Sequence, residues 1–220
     1  DSAFYADYAA KMKQAIQQEI LPIEKPYAEY MGRYILALAF DLADGEWYKP
    51  YCDKLAELVQ ARNGKLGTGF LATPFILSVL DRIGRHDLAK QILWQTDCPG
   101  WLYEVKMGAT SIWENWGAVQ PDGTPNKTSY DHYAFGVVDT YLTETVCGIQ
   151  AAAPGFDKIR IAPCADSGFA EFERSFISEH GEIRVCRCRD ALAVMIPPNT
   201  TAEIIWKGQH HETGSGTYVF

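Results

Sequence analysis

One change of period constrains this chain more than any other feature. Up to about residue 148 the apolar residues recur at spacings of three and four; after AAAPGF, near residue 155, they alternate. A helical period buries one stripe of a cylinder, and a period of two buries one face of a sheet. The chain is therefore predicted to be mainly α with a C-terminal β-domain, divided into residues 1–153 and 154–220.

In the helical part, Tyr5, Tyr8, Met12, Ile16 and Ile20 form one stripe, and Met31, Ile35, Leu38 and Leu42 another. Each predicts an amphipathic helix with one buried face. A third helix runs through Leu55 and Leu58 and stops at Asn63-Gly64. The fourth has Thr73 as its cap, Pro74 at the first helical position and Gly84 as its stop. A fifth begins near His86-Asp87, and a sixth opens in SYDHYAFGVVDTYL with Ser129 as N-cap and continues to Cys147-Gly148. Beyond it, KIRIA, FAEFERSF, EIRVCRC, ALAVMI, AEIIW and TYVF are short, rich in β-branched and aromatic residues, and separated by Gly, Asp, Asn and Pro-Pro. They predict a small antiparallel β-sandwich with one covered and one wet face. No fixed-period repeat points to a solenoid.

Charge narrows the partners. A net charge of -8 and a pI near 5.1 give no basic footprint, which argues against nucleic acid and anionic membrane surfaces. No apolar run approaches the roughly 18 residues that span a bilayer, and DSAFYADYAAKMK lacks the basic start and apolar stretch of a signal peptide. The chain reads as soluble, in a cytoplasmic, periplasmic or secreted setting that any upstream sequence would decide. The six cysteines form no CxxC pair, so zinc is not expected, nor is any other metal or cofactor. Reduced, structural thiols are favoured, with a disulfide left open. Cys186 and Cys188 would share one strand face beside Arg184. Sequons at Asn126 and Asn199 matter only in a glycosylating pathway.

Chemistry concentrates between the fifth and sixth helices. Thr96 to Thr128 shows no helical period, yet it holds Trp101, Tyr103, Trp113, Glu114 and Trp116. So aromatic a stretch predicts an ordered loop carrying a site. In GATSIWENW, Glu114 lies between two tryptophans. Indole faces stack on the C–H faces of a sugar ring, and a carboxylate between them can act as a base or bind hydroxyls. The competing account makes the tryptophans core and Glu114 the partner of an arginine. His132, as third residue of the helix capped by Ser129, would be kept neutral by the positive end of the helix dipole and could donate to a hydroxyl; a core histidine is the alternative. GKLGTGFLATP fails the spacing of a phosphate loop, and more plainly delivers Phe70 into a tight turn beside a site.

The ordered set GTGFLATP, GATSIWENW, SYDHYAFGVVDTYL, PGFDKIRIAP, PPNTTAEIIW and GSGTYVF closely resembles the C-terminal part of the family 78 glycoside hydrolases, the α-L-rhamnosidases. The resemblance covers most of the chain; its W-E-x-W and H-Y-A-F-G segments are the specific parts. It implies part of an (α/α)6 barrel followed by a β-sandwich, and an inverting hydrolysis of terminal α-L-rhamnose from glycosides. Glu114 matches the glutamate proposed as general base, and His132 matches a histidine that contacts rhamnose. Trp113, Trp116 and Phe70 become pocket-lining by inference. Aromatic surroundings would raise the pKa of Glu114, whereas loop N–H groups or a cation would hold it ionised; the sequence leaves both open. The family's general acid lies in an upstream stretch without counterpart here. The chain is thus expected to be a C-terminal fragment, inactive alone, whose missing N-terminal barrel half leaves apolar helix faces exposed to association, including with its own copies. An (α/α)6 glycosidase for another sugar, a non-catalytic carbohydrate-binding module and a helical interaction protein are the rival readings.

Overall fold

A computed structural model describes residues 1–22 and 27–220, in two compact units, Asp1–Gly136 and Val137–Phe220. Unit 1 begins with α1 (Ser2–Ala15), which continues as a π-helical turn, Ile16–Ile20. Then come α2 (Met31–Ala39), α3 (Tyr48–Ala61), α4 (Thr73–Arg82), α5 (His86–Leu93) and α6 (Trp101–Lys106). α2 packs on α3 and α4, and α5 on α3 and α4. The buried faces follow the apolar spacing: Met31, Ile35 and Leu38 of α2, Leu55 and Val59 of α3, Ile76 and Leu80 of α4, and Ile92 of α5 are all fully buried.

Helix ends follow backbone chemistry, with one shift. Asn63 and Gly64 stop α3 in left-handed conformation at φ 53° and 73°. Gly84, at φ 76°, ends α4 as expected, its N–H bonded to Asp81 and the next to Leu80. Thr73 does not cap α4. It is the first helical residue, with Ala72 at the cap, and its hydroxyl turns back onto the Gly69 carbonyl at 2.9 Å. The α1 stripe is also corrected: no residue of α1 is buried, and Tyr5, Tyr8 and Met12 are 66%, 56% and 48% exposed. The π-helical turn that follows it is tied down, through Gln17 to the Leu42 carbonyl and the Asp44 carboxylate. The stripe exists in the sequence, but no described residue covers it.

Unit 2 opens with a short helical run, α7 (Val138–Tyr141) and a π-helical turn, Leu142–Val146. Eight strands follow: β1 (Ile149–Ala151), β2 (Lys158–Ile161), β3 (Glu171–Ser178), β4 (Gly181–Cys188), β5 (Ala191–Ile196), β6 (Thr201–Trp206), β7 (Gln209–Thr213) and β8 (Gly216–Val219). They form two four-stranded sheets, β1-β2-β6-β7 and β3-β4-β5-β8. One core joins them: Ile149, Ile159, Ile161, Ala202, Ile204 and Trp206 meet Ile183, Val185, Leu192, Val194 and Ile196. Pairing is antiparallel throughout except between β2 and β6, which run parallel with Ile159 opposite Ala202. The strands β1 and β7 escape the sequence pattern because one is three residues long and the other, QHHET, has no apolar face. None of the six cysteines is joined in a disulfide. Among the described residues no helix is long and apolar enough to cross a membrane.

The entry to the sheet rests on a glycine. Gly148 lies at φ 75°, and a Cβ there would fall 2.2 Å from the Ala162 carbonyl carbon and 2.3 Å from the Pro163 nitrogen. Backbone on backbone has no flexible end to give way. Gly148→Ala is expected to lower the unfolding free energy by more than about 3 kcal/mol. Gly214→Ala, where nothing lies within 4 Å, is expected to stay within about 0.5 kcal/mol. Equal denaturation midpoints for the two variants would contradict this.

Candidate active site

The aromatic stretch is ordered by its own hydrogen bonds, and it is not all loop. A six-residue helix, α6, occupies Trp101–Lys106 between Gly100 and Gly108, within the span expected to lack helix. Trp101 and Tyr103 are buried and anchor both flanks. The Trp101 indole donates to the Phe135 carbonyl at 2.8 Å, and the Tyr103 hydroxyl to Val119 at 2.6 Å. A bridge between Val119 and Pro125 closes the distal turn, and Asn126 bonds Ala118 and Gly117 through its backbone and side chain. So many internal bonds explain how a long segment keeps one shape.

Within it, residues 112–114 lie alongside residues 129–132. The Glu114 amide donates to the Ser129 carbonyl at 3.1 Å, and the His132 amide to Ile112 at 2.8 Å. These two bonds bring Glu114 and His132 onto adjacent segments although 18 positions separate them. They also explain a correction. Ser129 does not cap a helix: the next one is a 3-10 turn that starts at Tyr133, and the Ser129 hydroxyl instead bonds the backbone of Asp131. His132 thus lies before the helix, and pairing with residues 112–114 rather than a helix dipole fixes it. Its Nδ1 accepts from the Ala134 amide at 3.3 Å, which leaves the ring proton on Nε2, available to a ligand.

Glu114 is exposed. Its Oε2 accepts from the Ser129 amide at 3.2 Å and the Thr128 hydroxyl at 3.3 Å. These partners, not an arginine, satisfy it among the described residues. Both bonds fall on one oxygen, so Oε1 stays open to a further donor such as water.

Both tryptophans are buried, Trp113 at 4% and Trp116 at 7% exposure. Trp116 stacks on Phe135 with centroids 3.8 Å apart, meets Trp101 edge-on, and donates its indole N–H to the Thr68 carbonyl. Trp113 packs edge-on against Tyr130. Their rings are thus buried packing on either side of the exposed Glu114 in the sequence, and form the wall of this part of the unit. The Thr68 bond also ties the glycine-rich turn to this wall, and it delivers Phe70, which is 51% exposed, to within 6.0 Å of the His132 ring. Glu114, His132 and Phe70 are therefore the accessible members, with the two indoles behind.

One residue was not anticipated. Glu104 of α6 is 2% exposed, its Oε2 accepts from the Trp113 amide at 3.3 Å, and its Oε1 has no hydrogen-bond partner among the described residues. Burial pushes its pKa up to about 7, and the Trp113 N–H pulls only weakly the other way. A signal existed: Trp101 and Glu104 are three apart, so a helix that turns one inward turns the other inward too. The lack of a helical period over the span hides it in the sequence. Among the described residues no cluster of three His, Cys, Asp or Glu side chains is arranged to hold a metal. What remains is an anchored carboxylate, an imidazole N–H and an apolar ring, a set suited to a polyhydroxylated ligand and to proton abstraction from water.

Comparison with known proteins identifies the domains of this chain. Residues 1–146 match the bacterial alpha-L-rhamnosidase 6 hairpin glycosidase domain, and residues 148–219 the bacterial alpha-L-rhamnosidase C-terminal domain. An alpha-L-rhamnosidase of Streptomyces avermitilis is 31% identical over 226 aligned positions, covering 99% of this chain and 22% of the relative. One from Formosa agariphila is 35% identical over 178, covering 78% of this chain and 19% of its own. The crystal structure of a Streptomyces avermitilis alpha-L-rhamnosidase complexed with L-rhamnose superposes with TM-score 0.92 at 30% identity, over 100% of this chain and 24% of that one. The native Aspergillus terreus enzyme gives 0.91 at 28%, over 99% and 27%. The chain thus spans about a fifth to a quarter of the length of these relatives.

Proposed function

The chain belongs to the bacterial alpha-L-rhamnosidase family, and from that premise we propose that it works as the C-terminal portion of a longer, inverting α-L-rhamnosidase in which Glu114 is the general base. The observation that carries this reading is the mounting of Glu114: exposed, bonded through one oxygen to the Ser129 amide, and on a segment hydrogen-bonded to the one that holds His132. Oε1 draws a proton from a water as that water attacks the anomeric carbon. A carboxylic acid roughly 6.5 to 9.5 Å away, supplied by the rest of the barrel, protonates the leaving oxygen. The His132 Nε2–H binds a rhamnose hydroxyl, Phe70 packs on the apolar side of the sugar, and Trp113 and Trp116 line the pocket from behind. In this reading residues 1–153 belong to the barrel and 154–220 to the sandwich, and no cofactor takes part. The uncovered α1 stripe supports a helix that packs on the remainder of the barrel.

Two comparisons test it together. An aryl α-L-rhamnoside is expected to be hydrolysed by the full-length protein and to be left at background by these 220 residues alone, which hold the base without its acid. Against the full-length protein, L-rhamnose is expected to outcompete mannose and glucose in saturation-transfer NMR. Turnover by the 220 residues alone would put the acid within them, and preference for glucose would move the activity to another sugar.

A further inference from the structure

Glu104 has no part in the chemistry above, yet it is buried among groups that shape the site. Two of its oxygens hold the approach to Glu114. Its backbone carbonyl accepts from the Ala109 amide at 3.0 Å, and its side-chain Oε2 from the Trp113 amide at 3.3 Å. One helical residue thus clasps both ends of the short segment that turns at Gly108 and leads to the site. The next amide, that of Glu114, points the other way, to Ser129. The peptide units on either side of Trp113 are therefore tied to opposite neighbours, α6 and the segment before the 3-10 turn.

We propose that Glu104 is a positioning residue for Glu114: its carboxyl fixes the Trp113 peptide and so the direction in which the neighbouring carboxylate is presented. This rests on Glu114 being the base. The surroundings fit an acceptor of hydrogen bonds more than a reacting acid. Tyr103, Trp113 and Ala118 form the buried cluster, with Cys98, Met107, Val119 and Tyr130 against it. The Tyr103 and Tyr130 hydroxyls are spent on the Val119, Ala118 and Asn126 carbonyls. Burial favours the neutral carboxyl, which a glutamine side chain copies in shape and in its carbonyl acceptor. Removing the acceptor leaves a buried N–H unpaired, and the chain relieves it by shifting. A displacement of about 1 Å at a reacting group can cost on the order of 100-fold in rate.

The test uses the full-length protein with an aryl α-L-rhamnoside, comparing wild type, Glu104→Ala, Glu104→Gln and Glu114→Gln. For Glu104→Ala we expect kcat to fall by about 10- to 100-fold with KM within about threefold, because the sugar contacts at His132 and Phe70 remain. Glu104→Gln is expected to restore kcat to within about threefold, the rescue that an acceptor role allows and a loss of the reacting group does not. If Glu104→Ala does not fold, Glu104→Met, which keeps the length and removes the acceptor, takes its place, and Glu104→Gln remains the test for a reacting group. A kcat as low as that of Glu114→Gln would make Glu104 a reacting group and overturn the proposal. Glu104→Ala with wild-type kcat, beside an inactive Glu114→Gln, overturns the positioning role and leaves the base in place. Undiminished turnover by Glu114→Gln overturns both.

Discussion

Glu114→Gln in the full-length protein is expected to lower kcat by about 10³-fold while leaving L-rhamnose affinity within a few-fold. The size follows from what a general base does. Positioned proton transfer contributes typically about 10²- to 10⁴-fold, and an amide cannot take the proton from water. Affinity is spared because glutamine keeps the carbonyl that accepts from the Ser129 amide and the Thr128 hydroxyl, so the segment stays in place. A fall in kcat without a rise in KM marks an interaction made in the transition state. Steady-state kinetics with a sugar titration read both quantities. Equal losses of affinity and turnover would make Glu114 a binding residue, and the site a recognition surface.

The second large effect concerns pH and stability. Burial raises the Glu104 carboxyl from 4.5 to about 7, so the native chain keeps a proton through that interval which the unfolded chain has released. The stability this proton contributes is fully present below about pH 4.5 and is lost as pH rises through about 7. A shift of this size corresponds to about 3 kcal/mol, with little discount for solvent because the side chain is 2% exposed. Asp44 and Asp87 respond in the opposite sense, since Lys13 and Arg85 hold their carboxyls below the usual range. The difference between wild type and Glu104→Gln isolates the one group. Glu104→Gln is expected to be the more stable by about 3 kcal/mol at pH 8 and close to wild type at pH 4.5. Urea midpoints of this chain and its variant at the two pH values measure it, and a difference that does not change with pH would contradict it.

How much of this could be read beforehand depends on how far apart the interacting residues lie. The change of period, the stops at Asn63-Gly64 and Gly84, and the buried faces of α2 to α5 all follow from spacing within a few residues. Glu114, His132 and Phe70 stood out by residue type and company. What escaped was non-local or too short to show a period. α6 has six residues between two glycines. The Ser129 cap lost to bonds with residues 112–114, which no window around position 129 contains. β2 and β6 pair in parallel across about 40 residues. Glu104 shows its burial only once Trp113 is bonded to it. The exposed stripe of α1 is the reverse case, a pattern true to its helix whose partner surface is absent among the described residues.

The most direct test of the central claim is the configuration of the sugar at the moment of release. The anomeric proton of rhamnose freed from an α-L-rhamnoside by the full-length protein should be followed by NMR before mutarotation. β-L-rhamnose is expected first, with the α form appearing only as the free sugar equilibrates, because water activated by Glu114 attacks from the face opposite the leaving group. α-L-rhamnose as the first product would mean a covalent intermediate, and Glu114 could not be the base of a single inverting displacement.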